Sequence, residues 1–255
     1  LLRHGHRPYF KQKEFVEAMR FKGDIAVVHL GINDTDPRNW PNYRDEFVGD
    51  YLALIDSLRL ANPKVRIIIA KMTPIADRHP RFISGTKLWH GEIQQAIETV
   101  ARVSGSELID FHAPLYPYPN LLPDAIHPNS EGAALLARTV YSGITGNYGG
   151  LQLSQLYTDN MVLQRDVPLD IHGTADAGSK VRVSIAGIKA EGKANNRGEW
   201  SVVLPAMSAA RNLTLTIEAG KQRRVFKNVA VGEVWLCSGQ SNMAFRLGQS
   251  ASANA

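Results

Sequence analysis

Apolar positions change their spacing a little past the middle of the chain. Before that point, short apolar runs such as Ile25 to Leu30, Val65 to Met72 and Glu107 to Phe111 read as buried strands. Between them, Glu14 to Arg20, Arg44 to Ala61, Lys87 to Ser104 and Ser130 to Tyr141 recur at helical spacing. Asn62-Pro63 closes the second helix, and Asn129 or Ser130 can cap the last, with Glu131 in its first turn. Strands separated by helices of this length imply parallel βαβ units, and so a three-layer α/β/α domain with a parallel sheet over residues 1–145.

Gly146 to Gly150 reads as a linker, and beyond it the helical period disappears. Val181 to Ile185, Trp200 to Leu204 and Leu213 to Glu218 alternate apolar with polar, as half-buried antiparallel strands do. Turn signals fall at Asp159-Asn160, Ala177-Gly178, Asn195 to Gly198 and Ala219-Gly220. The pattern predicts an antiparallel β-sandwich domain over residues 151–231, comparable to an immunoglobulin-like module.

With 255 residues, 44% of them hydrophobic, the chain can bury a sizeable core and more than one domain. No apolar run reaches the roughly 18 residues of a membrane span. The formal charge of +5 raises the question of an anionic partner, but the basic residues are scattered along the sequence, the densest cluster being Lys221-Gln222-Arg223-Arg224. Nucleic acid is therefore not an expected partner. The single cysteine, Cys237, excludes an internal disulfide, and its place in the apolar run Glu233 to Cys237 suggests a buried small hydrophobe in a strand. His29 reads as a core histidine, and Trp89 and Trp200 as core residues. His4, His6, His79, His90, His112 and His172 show no ligand spacing, so neither a metal nor another cofactor is expected.

Two short motifs carry candidate chemistry. Gly31-Ile32-Asn33-Asp34 follows the first strand, placing the Asn33 amide at the C-terminal edge where open α/β sheets bind ligands. In Asp124-Ala125-Ile126-His127-Pro128, the carboxylate three residues before the histidine can fix the imidazole tautomer and stabilise its protonated form. Each motif also has a plainer reading: Asn33-Asp34 as a turn, Asp124 to Pro128 as an Asx-turn leading into a helix. A third segment, Gly239-Gln240-Ser241-Asn242-Met243, follows the Glu233 to Cys237 run and can present a serine hydroxyl at a sheet edge, or simply cap a helix.

At the first two motifs the chain resembles the SGNH (GDSL-like) hydrolases, and at the third the sialate O-acetylesterase family. That second likeness extends upstream to Tyr157-Thr158-Asp159-Asn160-Met161-Val162-Leu163-Gln164-Arg165. The resemblance implies Ser241 as nucleophile type, His127 as base and then acid, Asp124 as its orienter and Asn33, with Gly31 beside it, as an oxyanion-hole position. It also implies a periplasmic or extracellular setting. The order of the blocks is unusual for one such domain, because the serine follows the histidine. Leu1 to Tyr9 resembles the stretch after the superfamily's second block, so the chain reads as a piece of a longer protein with a nucleophile block upstream. Residues 232–255 then begin another esterase-like domain. On this tandem reading Ser241 and His127 lie too far apart for contact, whereas a domain permuted around the sandwich would bring them together.

Three functions compete. The leading one is a serine esterase removing O-acetyl groups from carbohydrates, with the acetylated carbohydrate as partner. A lipase, thioesterase or arylesterase of the same superfamily would need an apolar groove that is not legible here. A carbohydrate-binding or spacer module is the non-enzymatic alternative. Trp40, after Asp36-Pro37-Arg38-Asn39, could stack on a sugar or pack over the rim of the site.

Overall fold

A computed structural model describes residues 1–76 and 86–237, which fall into two compact units parting between Gly146 and Asn147. His79 and the Gly239 to Met243 block, with Ser241, lie outside the described residues.

In the first unit β1 (Ile25–Val28), β2 (Arg66–Lys71) and β3 (Glu107–Asp110) form a parallel sheet in that spatial order. Around it are α1 (Lys13–Phe21), the single turn α2 (Trp40–Tyr43), α3 (Phe47–Ala61), α4 (Thr86–Ser104) and α5 (Ser130–Thr145). Both faces of β2 are buried. Ile67 and Ile69 pack with Phe47, Tyr51, Leu54 and Ile55 of α3 and Ile93, Ile97 and Val100 of α4. Ile68 and Ala70 pack on the other side with Leu136, Val140 and Ile144 of α5. The unit is thus an α/β/α arrangement, whose central strand is apolar from Ile67 to Ala70 because both of its faces are covered.

The helix ends follow local chemistry. Asn129 caps α5, its Oδ1 accepting from the Gly132 amide at 2.9 Å, and Gly146 ends it with a left-handed φ of 72°. The expected helix from Arg44 is instead a tight turn over Arg44–Glu46 that leads into α3. β1 also departs from expectation: Ile25 and Val27 are 42% and 38% exposed. Among the described residues β1 pairs with β2 alone, so its other side lacks the neighbour that would bury it.

The second unit is built from strands: β4 (Val162–Gln164), β5 (Leu169–Thr174), β6 (Lys180–Ile185), β7 (Ile188–Lys193), β8 (Glu199–Leu204), β9 (Ala210–Ala219) and β10 (Gln222–Gly232). Five of them form a sheet in the order β4-β10-β9-β6-β7, antiparallel except for the β4–β10 pair, and β5 pairs antiparallel with β8. Inward residues of both sheets share one apolar core, including Ile171, Val202 and Leu204 from the smaller and Val181, Val183, Ile185, Leu215 and Ile217 from the larger. Trp200 is buried there with no hydrogen-bond partner for its Nε1 among the described residues.

Glu233 to Cys237 does not form the expected strand. Trp235 and Leu236 are 81% and 94% exposed, and Cys237 is exposed rather than buried. Among the described residues no strand pairs with this run, so nothing covers its apolar side chains.

Candidate active site

Because the sheet is parallel, the segments that follow β1, β2 and β3 all leave from one edge. The first turns sharply at Gly31, whose φ is 128°. A Cβ there would lie 2.9 Å from the Met72 sulfur and 3.0 Å from Ile93 Cγ2, so both conformation and space call for glycine. Next comes a single turn, Ile32–Thr35, which exposes Asn33 and buries Asp34.

Short-range bonds fix this turn. The Asp34 carboxylate accepts from the Leu2 amide at 3.2 Å. Buried Asn39 donates from Nδ2 to the Asn33 carbonyl at 3.2 Å and accepts the His6 amide at 2.8 Å. The backbone of Asn33 is therefore held while its side chain faces outward, into a depression also bounded by Gly5, Arg7 and Arg38.

The segment after β3 carries the second motif. Asp124 Oδ1 accepts the amides of Ile126 at 3.0 Å and His127 at 2.7 Å, while Oδ2 lies 2.6 Å from His127 Nδ1. Ala125, at φ 71°, makes the turn that allows this. The Asx-turn and the carboxylate–histidine pair are thus one structure. The hydrogen bond from the His127 ring, followed by those from the two amides, holds the Asp124 carboxyl well below the usual carboxylate range. An ionised Asp124 at Nδ1 requires the proton on that nitrogen, which leaves the Nε2 lone pair outward as a base. The Ala76 amide donates to the Ala125 carbonyl at 2.9 Å, tying the segment after β2 to this turn.

Residues 4–135 match the sequence model of the GDSL-like Lipase/Acylhydrolase family. The chain belongs to that family. Among the relatives of this GDSL-like chain is an acetylxylan esterase of Xylanibacter ruminicola, 32% identical over 160 residues that make up 56% of this chain and 33% of the relative. The chain thus spans about a third of the length of the curated relative it matches. Similar solved structures include a carbohydrate acetylesterase from Xanthomonas citri, at 35% identity, 40% of this chain, 24% of that one and a TM-score of 0.38. Another is an acetylxylan esterase from Geobacillus stearothermophilus, at 24% identity, 53% of this chain, 66% of that one and a TM-score of 0.39.

The GDSL-like unit brings Asp124 and His127 into contact and sets Gly31 and Asn33 at the same sheet edge, with no hydrogen bond between the two pairs among the described residues. The separation of Ser241 from His127 lies outside the described residues. Trp40 takes the packing role, not the sugar-stacking one. It is 3% exposed, edge-on to Phe47 at 5.4 Å, with its indole N–H donated to Glu92 at 2.6 Å. His29 is open to solvent on one side rather than a full core residue, edge-on to buried Phe111 at 5.0 Å, and burial of the ring on that side lowers its pKa.

Two further histidines at this edge were not singled out by the sequence. His90 Nε2 lies 3.0 Å from the Thr73 carbonyl, and its ring centroid is 5.8 Å from that of His112, which stacks on Tyr116 at 5.1 Å. Burial is the largest influence on both, lowering the pKa of each imidazole.

Proposed function

We propose that this chain supplies the base and an oxyanion donor of a serine esterase that removes O-acetyl groups from polysaccharides through an acyl-enzyme. The observation that carries the reading is the 2.6 Å contact between His127 Nδ1 and Asp124 Oδ2, which leaves Nε2 to accept a proton. A serine hydroxyl gives its proton to Nε2 as its oxygen attacks the acetyl carbonyl. The tetrahedral oxyanion is met by the Asn33 side-chain amide and the serine's own N–H. His127 then returns the proton to the departing sugar oxygen, and water repeats the cycle to free acetate. The 32% identity to an acetylxylan esterase supports a sugar-borne acetyl group as substrate.

The serine is assigned to a block upstream of Leu1, with Ser241 opening a second esterase-like domain. The intervening unit is read as a β-sandwich spacer, on the support of the apolar core its two sheets share. The test compares this 255-residue chain with a longer protein that contains both candidate serines. The longer protein should release acetate from acetylated xylan, favour it over p-nitrophenyl esters of long acids and lose activity on His127→Ala, while the shorter chain is nearly inactive. Strong activity of the shorter chain, abolished by Ser241→Ala, would assign Ser241 and His127 to one permuted site.

A further inference from the structure

Basic residues that are scattered in the sequence converge on one surface of the second unit. The inward positions of β6, β7, β9 and β10 build the core, so the alternate positions form the opposite face of the sheet. That face carries Lys180 and Arg182 on β6, Lys189, Glu191 and Lys193 on β7, Glu218 on β9 and Arg223 on β10, with Lys221 in the adjoining turn. These are six basic and two acidic residues. The chain has 29 basic and 24 acidic residues, so setting the face aside leaves 23 and 22, and the face carries nearly all of the net charge of +5.

The two carboxylates are already engaged. Glu191, Arg182, Glu218 and Arg223 stand in register across four strands, with Arg182–Glu191 at 2.6 Å and Arg223–Glu218 at 3.2 Å. Lys180 reaches Glu191 at 3.0 Å, but Lys189, Lys193 and Lys221 have no carboxylate partner among the described residues. Lys193 also stands directly opposite Lys180, a like-charge pair that costs stability in a sheet. Unpaired lysines and an opposed pair on one flat face are what an external anion would relieve.

We infer that this face binds a linear anionic polysaccharide through its uronate carboxylates, and so holds the esterase on its substrate. The inference rests on the polysaccharide reading above. Charge composition favours it over nucleic acid: the basic positions of the face are interrupted by two carboxylates, which a dense array of phosphates would meet at close range. Duplex DNA carries one charge per ~1.7 Å of helix axis, both strands counted, a density the two carboxylates oppose, and single strands call for aromatic stacking. The outward positions named here are charged, and beside them stand Ser184, Thr214, Thr216 and Val225, none of them aromatic.

The test is native affinity electrophoresis of the whole 255-residue chain in gels containing polygalacturonate, its methyl ester, or duplex DNA at matched charge. Polygalacturonate should retard the protein at low salt and release it as ionic strength rises, while the uncharged methyl ester leaves migration unchanged. The double variant Lys189→Glu/Lys193→Glu, and separately Lys221→Glu in the turn, should weaken retardation, the double variant by about tenfold or more. Equal retardation by the methyl ester, stronger binding to DNA, or wild-type affinity in both variants would overturn the inference. Binding is read without turnover, so it can fail while acetate release persists, or persist where acetate release fails.

Discussion

His127 is bonded to Asp124 at both ring and backbone, with Nδ1 2.6 Å from Oδ2 and the main-chain nitrogen 2.7 Å from Oδ1. One carboxylate therefore fixes the peptide that carries the imidazole and the way the ring points. In protein competent for ester hydrolysis, His127→Ala should lower kcat by about 10²- to 10⁴-fold, the usual contribution of a general base, with only the small loss of thermal stability that an exposed pair with Asp124 contributes. Initial rates on p-nitrophenyl acetate, alongside a melting curve, check both halves of the expectation.

Asp124→Asn keeps the shape of the turn but removes the charge that sets the tautomer, and kcat should fall by as much as about 10⁴-fold. The pH dependence has a definite sign. A carboxylate whose folded pKa is depressed stabilises the fold above its unfolded value, about 3.8, and loses that contribution as pH falls through the lower folded value. Denaturant titrations of wild type and Asp124→Asn should differ most at neutral pH and converge below pH 3.8.

Asn33→Ala should lower kcat by about 10²- to 10³-fold, with KM nearly unchanged, because an oxyanion donor acts on charge that develops only in the transition state. A rise in KM at constant kcat would instead make Asn33 an ordinary substrate contact.

Gly31→Ala should destabilise the first unit by about 1–3 kcal/mol, because it adds a methyl against Met72 and Ile93 at a φ of 128°. Urea unfolding followed by tryptophan emission measures the loss.

Trp40→Ala removes a buried indole and should cost about 3–5 kcal/mol in stability. The ratio of rates on acetylated polymer and on a small acetyl ester, measured well below the melting temperature, should stay as in wild type. A selective loss on polymer would return Trp40 to the substrate.

The sequence made visible what short-range physics decides. β2 and α4 were legible because their apolar spacing is strong, and the Asp124–His127 contact because three residues of chain suffice to close it. Exposure was not legible where a neighbouring element decides it. Among the described residues β1 has one neighbouring strand and Glu233 to Cys237 none, so Ile25 and Val27, which read as core, and Trp235 and Leu236, which read as strand, stand exposed. Trp40 could be read either way, since only the folded chain brings Glu92 to its indole. His90 and His112 come together from separate elements, and the basic face from four strands, so neither has a linear signature.

The one-sided pairing of β1 bears on how the polypeptide behaves in concentrated solution. Among the described residues one edge of β1 is an unmatched row of backbone donors and acceptors, a template for another copy of itself, and charged gatekeepers that normally blunt such an edge are missing from Ile25 to Val28. Handled alone, this polypeptide should turn cloudy with rising concentration, and replacing Val27 with lysine should keep it clear.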